Sequence, residues 1–275
     1  MTSIPIHDTA FIIAYYRSQH EDISLDPYAK LWLRPSLTSF ASDFSLHVSV
    51  YDELLHCFRN RYFLESLTQL TSEGDWLFIN IGAGFSMYPY LLSDRVTTLE
   101  IDLPEIVSFK KEAIKKFTSE GFLPHRNVSH SAVDITNKRE LEELTNTIKT
   151  NYIGLQTVVL IEGVFFFLNR NVIDDLLRYI ADFQKAGDVT MCVSFEDSST
   201  SQEVFERLKN YFIEHLNSKN NPFTTLPNTY YTSLSKYVLK KSSSSFQVGK
   251  EIKSLPPTLR ESDVLNEFFY TLHRC

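Results

Sequence analysis

A glycine turn that follows an apolar segment is the first feature of this chain whose residue types could bind a ligand. The segment Ile79–Phe85 (INIGAGF) contains Gly82, Ala83 and Gly84. Glycine has no Cβ and tolerates positive φ, so the backbone can approach a bound molecule closely. A dinucleotide site would need a third small residue where a pyrophosphate meets a helix N-terminus, and Met87 stands there. The turn favours a ligand without phosphates, and a purely structural turn is the alternative.

A carboxylate lies about twenty residues after the glycines, at the end of the next apolar segment. An acid at this position can accept hydrogen bonds from both hydroxyls of a ribose. We expect Asp102 to do so. Glu100 lies on the same face of the predicted strand and could substitute for it. The alternative is that Asp102 is an acidic helix cap before Leu103 and Pro104.

Two more carboxylates follow apolar segments further along the chain. Asp134 comes after the segment HSAV, and Glu162 closes the segment TVVLI. Asp134 could cap the helix that is predicted to follow it. Glu162 would be costly to bury without a cationic partner. That partner is either an ammonium group of the ligand or a structural arginine.

An alternation of strands and helices must position these residues. Strands are predicted at residues 76–81, 96–101, 130–133, 157–161, 189–195 and 268–273, and the serine run 242–245 is predicted to be a hairpin tip or a loop. Apolar strands separated by helices indicate a parallel sheet that is covered on both faces. Right-handed crossovers then give a doubly wound α/β fold. Ligands in such folds bind at the carboxyl ends of the strands, where the three acids fall.

The residues before the first strand predict a helical cover. Helical spacing of apolar residues extends over Thr9–Ser18 and Val50–Leu70. We therefore expect one domain of 275 residues, with the cover at 1–72 and the core at 73–217. A lid or insertion and the last strands would occupy 218–275.

The charge of the chain argues against a nucleic-acid partner. The sequence has 27 Lys and Arg against 34 Asp and Glu, a formal net charge of -7. Nucleic-acid binding normally requires a concentrated positive surface. The densest basic group is Lys110, Lys111, Lys115 and Lys116 on one predicted helix. We interpret it as a solvated helix face.

The cysteines indicate a reducing compartment. Cys57, Cys192 and Cys275 lie far apart, without the spacing of metal ligands, so we expect no metal. The N-terminus lacks a signal-peptide pattern, and no apolar run approaches the roughly 18 residues of a membrane span. These features predict a cytoplasmic protein without a membrane partner.

The chain carries several short motifs of one known family over most of its length. They are Thr9-Ala10 with Ala14-Tyr15-Tyr16-Arg17, Asp26-Pro27-Tyr28-Ala29, Arg59-Asn60-Arg61-Tyr62-Phe63, Asn80-Ile81-Gly82-Ala83-Gly84, Glu100-Ile101-Asp102-Leu103-Pro104-Glu105, Ala132-Val133-Asp134 and Glu162-Gly163-Val164. Together these motifs resemble the leucine carboxyl methyltransferase-like family of class I S-adenosylmethionine-dependent methyltransferases, which includes bacterial natural-product O-methyltransferases. The resemblance implies a Rossmann-like, mostly parallel sheet with an N-terminal helical cover.

The resemblance also implies a cofactor and the residues that hold it. The cofactor would be S-adenosylmethionine, with S-adenosylhomocysteine as the product. Arg59, and with it Arg17, would pair with the methionine carboxylate. Asp134 and the neighbouring Ile135 would meet the adenine, and Leu103 would lie beside the ribose-binding acid. Glu162 would meet the ammonium of the methionine part.

One segment departs from the pattern of the family. Phe85-Ser86-Met87-Tyr88 stands where the family usually has a G-L-D-T-R-like continuation, so an Asp and an Arg are lost beside the cofactor. In addition, Phe167 stands where a Tyr is common. Neither change removes an expected contact to the ribose or the amine. Both put the usual substrate of the family in doubt.

The sequence favours a carboxylate as the methyl acceptor. A carboxylate is ionised near neutral pH and needs no general base, so alignment provides most of the acceleration. A hydroxyl acceptor needs a base such as histidine. His125 and His130 flank the third predicted strand, and no histidine stands at a strand end in the way that Glu162 does. We therefore expect a methyl ester on a small-molecule carboxylate, with a role in natural-product biosynthesis.

The sequence leaves open which residues line the acceptor pocket and which of several functions the chain has. Aromatic residues of the cover either line an apolar pocket or pack: Phe11, Tyr15, Tyr16 and Tyr28. One alternative acceptor is the C-terminus of a protein, and another is a small-molecule hydroxyl. A cofactor-binding module without turnover is supported only by the departure at Ser86-Met87-Tyr88. An NAD-dependent oxidoreductase is opposed by Met87.

Overall fold

The computed structural model describes residues 6–215 and 220–275. Within them, seven strands form one sheet: β1 (Trp76–Ile81), β2 (Thr97–Asp102), β3 (Val128–Ala132), β4 (Gln156–Ile161), β5 (Val189–Ser194), β6 (Tyr237–Ser244) and β7 (Phe268–Arg274). The strand order is β3-β2-β1-β4-β5-β7-β6. Neighbours among β1–β5 pair in parallel, whereas β7 is antiparallel to β5 and to β6. The predicted α/β, mostly parallel sheet is confirmed.

The sheet is parallel because its central strands are apolar on both sides. β1 and β5 are buried along their whole length. Large apolar clusters cover the two faces of the sheet, one centred on Phe78 and Leu160, the other on Ile79 and Val159. A strand buried on both faces has no polar side to turn towards water.

Helices cover the sheet and connect its strands. The residues before β1 form α1 (Ile6–Gln19), α2 (Glu21–Ser24), α3 (Ser36–His47) and α4 (Asp52–Leu70), in agreement with the predicted helical cover. The later helices are α5 (Tyr88–Leu91), α6 (Pro104–Ser119), α7 (Lys138–Asn151), α8 (Arg170–Phe183), α9 (Glu203–His215), α10 (Asn228–Thr232) and α11 (Ser245–Glu251). Pro104 occupies the first turn of α6, where its missing N–H costs no hydrogen bond.

Two predictions of local structure are wrong. The serine run is neither a hairpin tip nor a loop, because Ser242–Ser244 pair with β7 as part of β6. The Ser244 side chain then accepts a hydrogen bond from the Gln247 N–H and caps α11. Lys110 is not on a solvated helix face, because it is buried. The predicted helix end at Leu216 and the core boundary at residues 217 and 218 lie outside the described residues.

Two structural findings concern membranes and metals. No helix of the described ranges combines the length and the apolar composition that a membrane span requires. Between residues 6 and 275, leaving out 216–219, no three His, Cys, Asp or Glu side chains are grouped as metal ligands would be. Cys57 and Cys192 are buried free thiols, and Cys275 is an exposed one.

Candidate active site

A cavity lies between the helical cover and the carboxyl edge of the sheet. Its polar lining comes from the cover helices, the turn after β1 and the ends of β4 and β7: Arg17, Asp52, His56, Arg59, Asn80, Gly82, Ala83, Gly84, Ser86, Glu162 and Glu267. Its apolar lining includes Phe40, Phe44, Phe166, Phe167, Phe195 and Phe212. The predicted residues Arg17, Arg59, Gly82, Ala83, Gly84 and Glu162 therefore meet in one place.

The glycine turn is held close to β2 by its backbone. The N–H groups of Gly82 and Ala83 both donate to the Ile101 carbonyl, at 2.9 and 3.1 Å. Gly82 has a φ of 68°. A Cβ at this position would overlap the Cγ2 methyl of Val164. Only glycine fits this turn without strain, and its backbone is consequently presented to the cavity.

Asp102 joins the glycine turn to the start of α6. Its Oδ2 accepts the Gly84 N–H at 2.7 Å, and its Oδ1 accepts the Leu103 N–H at 2.8 Å. Burial raises the pKa of the Asp102 carboxyl, against these two N–H groups, which lower it. Each carboxylate oxygen can accept a further hydrogen bond. The side chain of Leu103 is 42% exposed at the same edge.

Asp134 forms a local turn after β3. Its Oδ1 accepts the N–H and the hydroxyl of Thr136, at 2.9 and 2.7 Å, and its own N–H donates to Glu140 at 2.8 Å. The interpretation of Asp134 as the cap of the next helix is wrong. Asn137 caps α7 instead, because its side chain accepts the Arg139 N–H. Ile135 is partly buried against the core.

Four strand ends place the predicted ligand-binding residues in a row. Along the sheet order β3-β2-β1-β4, the ends carry Asp134, Asp102, the glycine turn and Glu162 in turn. Adjacent strands are about 4.8 Å apart, so the row extends over about 14 Å. Asp102 and Asp134 lie outside the described lining of the cavity, on the far side of the turn. An extended ligand could contact both parts.

Arg59 and Glu162 form the central ion pair of the cavity. The Arg59 Nε donates to Glu162 Oε1 at 2.7 Å, and its Nη1 donates to Glu267. The Tyr88 hydroxyl donates to Glu162 Oε2 at 2.7 Å. Burial acts to raise the pKa of Glu162, but the charges of Arg59 and Arg17 and the Tyr88 hydrogen bond hold it below its ordinary value. Arg59 is thus the structural arginine that was one predicted partner of Glu162.

Arg17 supports the glycine turn from the cover. Its Nη2 donates to the Phe85 carbonyl at 3.0 Å, and its Nε lies 3.2 Å from Asp26 Oδ2. Both side chains of this ion pair are buried. The motif residues Arg17 and Asp26 therefore fix the position of the cover on the turn.

Glu100 belongs to a second buried cluster, behind the turn. The Lys110 Nζ donates to Glu100 Oε1 at 2.8 Å and to the Ser86 carbonyl at 3.0 Å. His130 Nε2 lies 3.3 Å from Glu100 Oε2. Burial acts to raise the pKa of Glu100, but Lys110 and His130 hold it below its ordinary value. Glu100 is engaged here and is absent from the described lining of the cavity, so its predicted role as a substitute for Asp102 has no support.

His56 is a cavity residue that the sequence analysis missed. It lies on α4, one turn before Arg59, and its side chain is 15% exposed. Its Nε2 lies 3.1 Å from Asp52 Oδ2, and its Nδ1 lies 3.9 Å from Glu267 Oε2. The spacing of three residues to Arg59 places both side chains on one helix face. This spacing was the available signal, although the alternation of strands and acids draws attention to histidines at strand ends.

The aromatic wall of the cavity comes mainly from outside the cover. Of the four aromatic residues predicted there, Tyr16 lines the cavity. Phe11, Tyr15 and Tyr28 pack instead in a cluster around Trp32 and Phe85. The packing alternative therefore holds for these three residues. The wall itself is formed by Phe40, Phe44, Phe166, Phe167, Phe195 and Phe212.

The sequence profile of the leucine carboxyl methyltransferase family matches residues 10–181. This chain belongs to that family. It is an S-adenosylmethionine-dependent methyltransferase. The matched residues include Arg17, Arg59, the glycine turn and the three strand-end acids.

Solved structures with the same fold include methyltransferases from several bacteria. A candidate methyltransferase from Thermobifida fusca YX has a TM-score of 0.65 at 11% identity, over 88% of this chain and 89% of its own. A DUF574 family protein from Streptomyces avermitilis MA-4680 has a TM-score of 0.64 at 10% identity, over 97% of each chain. Magnesium protoporphyrin IX methyltransferase from Synechocystis PCC 6803, with bound S-adenosylhomocysteine, has a TM-score of 0.51 at 9% identity, over 95% of this chain and 99% of its own. No curated protein sequence matches this methyltransferase significantly.

The residues of this methyltransferase fit its cofactor. The Arg59 Nη2 donates to no other group in the described part of the chain, and it can donate to a carboxylate. Glu162 and Glu267 supply negative charge for an ammonium. Asp102 retains acceptor capacity for ribose hydroxyls, and Asp134 Oδ2 has no partner among the described residues. The donor set thus matches a zwitterionic amino acid joined to a nucleoside.

Proposed function

We propose that this methyltransferase acts on an oxygen of a small, apolar molecule that binds in the cavity beneath the cover. The observation that carries the proposal is the mixed lining of this cavity. The glycine turn with Arg59 and Glu162 forms part of it, and phenylalanine rings form another part. Small-molecule sites are typically concave and apolar with a few placed polar groups. A concave site with aromatic walls suits a small acceptor with an apolar skeleton.

Some residues of the site would hold the cofactor, and others would hold the acceptor and exclude water. S-adenosylmethionine supplies an electrophilic methyl group on a sulfonium. Arg59 and Glu162 would orient its amino-acid part, Asp102 its ribose and Asp134 with Ile135 its adenine. Leu103, exposed beside Asp102, would cover the adenosine. The phenylalanine rings would hold the acceptor in line, which can provide most of the acceleration.

The three predicted segments of the domain would all contribute to this site. We propose that the cover at 1–72, the core at 73–217 and the segment 218–275 work as one unit. Glu267 and Leu265 bring the last segment to the cavity, and Arg17 and Arg59 bring the cover. Each segment would thereby contribute to one site.

The identity of the acceptor group needs a separate argument. A methyl ester on a small-molecule carboxylate was the prediction from sequence, and the family name supports it. The second support was that no histidine stands at a strand end, and this support no longer applies because His56 reaches the cavity from α4. The carboxylate acceptor and a role in natural-product biosynthesis therefore stay predictions.

Calorimetry with S-adenosylhomocysteine tests the cofactor half of the proposal. The substitution Asp102→Asn should weaken binding by about 1–3 kcal/mol, because ribose hydroxyls lose a charged acceptor. The matched control is Asp188→Asn. Asp188 accepts the N–H groups of Thr157 and Lys185 at 3.0 and 2.9 Å, at the other edge of the sheet.

The control Asp188→Asn should lower the thermal stability of the protein without changing its affinity for S-adenosylhomocysteine. Equal affinity losses in both variants would remove Asp102 from the site.

Mass spectrometry of a small-molecule panel after reaction with S-adenosylmethionine tests the acceptor half. Methylation found only on proteins or peptides would contradict a small-molecule acceptor.

A further inference from the structure

The proposed binding of the cofactor does not involve His56. It belongs to the cavity lining, together with Asp52 and Glu267. With the proton on Nε2, the imidazole can direct it towards Asp52 Oδ2, 3.1 Å away. The lone pair then resides on Nδ1, which has no hydrogen-bond partner within the described residues. Buried polar atoms are generally hydrogen-bonded, so Nδ1 can accept a hydrogen bond that no described residue donates.

A hydroxyl group can donate this hydrogen bond. A hydroxyl carries one proton, which it can donate to Nδ1, the acceptor without a partner among the described residues. Glu267 Oε2, 3.9 Å from Nδ1, already accepts from Arg59. Tyr16 stacks beside His56, with 6.0 Å between the ring centroids and an angle of 16° between the ring planes.

The charges of the cavity disfavour an acidic acceptor. Its described lining carries three carboxylates, Asp52, Glu162 and Glu267, against two guanidinium groups, Arg17 and Arg59. Arg17 is already paired with Asp26, so the lining is negatively charged overall, which suits the positive charge of the sulfonium. An acceptor carboxylate would add an anion with no cation left for it, and like charges placed together repel each other.

We propose that His56 is the general base of this methyltransferase and that the acceptor is a hydroxyl compound, a phenol or an alcohol with an apolar skeleton. The inference rests on the proposed function. As the acceptor oxygen forms its bond to the methyl carbon, its proton passes to the His56 imidazole. The electron pair of the breaking carbon–sulfur bond stays on sulfur, which becomes a neutral thioether. Asp52 and Glu267 stabilise the imidazolium that forms.

The experiment uses acceptor pairs that differ only in the reacting group. The probes are phenol, 2-naphthol and 2-anthrol, each with the carboxylic acid of the same skeleton. Binding of each probe to the full-length protein saturated with S-adenosylhomocysteine is measured by calorimetry. Products with S-adenosylmethionine are identified as ethers or esters. The variants are His56→Gln and the control His20→Gln, whose histidine pairs with Glu53 and is absent from the described lining.

We expect at least one phenol to bind at least tenfold more tightly than its acid and to yield a methyl ether. His56→Gln should lower kcat on that phenol by about 100-fold or more, within the usual range for a general base. Its affinity for S-adenosylhomocysteine should stay within about threefold of the wild type. His20→Gln should leave both quantities within about twofold.

The pH profile gives an independent readout. The groups that face His56 are Asp52 on its own helix, Glu267 before β7 and Tyr16 on α1, with Arg59 acting through Glu267. The wild-type rate on the phenol should rise as His56 loses its proton. The NMR shift of its imidazole should titrate with the same midpoint. If His56→Gln fails to fold, His56→Asn and this comparison of midpoints replace it.

Three outcomes overturn the inference. They are acids that bind or react better than the matched phenols, a His56→Gln variant with turnover within about threefold of the wild type, and no binding of any phenol. In each case S-adenosylhomocysteine still binds normally. Loss of that binding in the wild type would instead contradict the proposed function.

Discussion

Two buried carboxylates on neighbouring parts of the sheet have similar partners and different surroundings. Glu162, after β4, pairs with Arg59 and Tyr88, and its cluster lines the cavity. Glu100, within β2, pairs with Lys110 and His130 behind the glycine turn. Ion pairing holds the pKa of both below the ordinary value although burial opposes it.

The difference between the clusters lies in what each can still bind. Arg59 Nη2 donates to none of the described groups, whereas Lys110 already donates to Glu100 and to the Ser86 carbonyl. The first cluster is therefore suited to hold a ligand and the second to hold the turn that faces it. A buried charge near a strand end is thus insufficient evidence of a binding role.

Removal of the arginine should have the largest effect. Arg59→Met leaves Glu162 and Glu267 without their cation, which typically costs about 3–5 kcal/mol of stability. Chemical unfolding and calorimetry with S-adenosylhomocysteine measure the two consequences, and both quantities should fall. The control is Arg61→Met on the same helix, because Arg61 makes a partly exposed pair with Glu65 and such pairs contribute little. Unchanged cofactor affinity in Arg59→Met would show that both clusters are structural.

Removal of the lysine should come next. Lys110→Met deprives Glu100 of its main cation, and His130 remains, so we expect about 3 kcal/mol, the lower end of the same range. The affinity for S-adenosylhomocysteine should fall less than in Arg59→Met after correction for the unfolded fraction. Lys111→Met, on the exposed side of the same helix, is the control. An affinity loss as large as that of Arg59→Met would contradict the distinction between the clusters.

Loss of the tyrosine hydroxyl should have a smaller effect. Tyr88→Phe removes one hydrogen bond to the Glu162 carboxylate, and bonds to charged groups contribute about 1.5–3 kcal/mol. Thermal unfolding measures the loss. Tyr230→Phe is a matched control, because its hydroxyl donates at 2.8 Å to Asp174, a half-exposed carboxylate in contact with water. The control should lose less, and the reverse order would refute the assignment of Tyr88 to the ion-pair cluster.

Lowering the pH should produce the smallest of these effects, a change in the free energy of unfolding. A carboxylate with a lowered folded-state pKa stabilises the protein above its unfolded pKa, near 4.5, and this stability is lost as the pH falls through the folded pKa. The gap in unfolding free energy between the wild type and Glu162→Gln should be constant above pH 4.5 and should shrink below it. Glu100→Gln should behave in the same way, and Glu142→Gln, at an exposed position, should show no gap. A gap that widens in acid would contradict the lowered pKa values.

The sequence by itself determined the sheet and the row of predicted ligand-binding positions. Apolar strand segments and the acids that follow them are local patterns, and parallel topology brings the carboxyl ends of strands to one edge. For this reason Gly82, Asp102 and Glu162 could be placed before the structure was known. The edge strand β6 was missed because its serines lack the alternation of apolar and polar residues that predicts a strand.

Only the tertiary structure decided which charges meet. Arg59 and Glu267 are separated by more than two hundred residues, and no local pattern encodes their contact. The same holds for His56, which reaches the cavity because α4 packs with the Arg59 side towards the sheet. The phenylalanine wall combines residues from α3, α9 and the segments after β4 and β5. Side-chain environments of this kind arise from packing between distant segments, so the choice of acceptor lies in the tertiary structure.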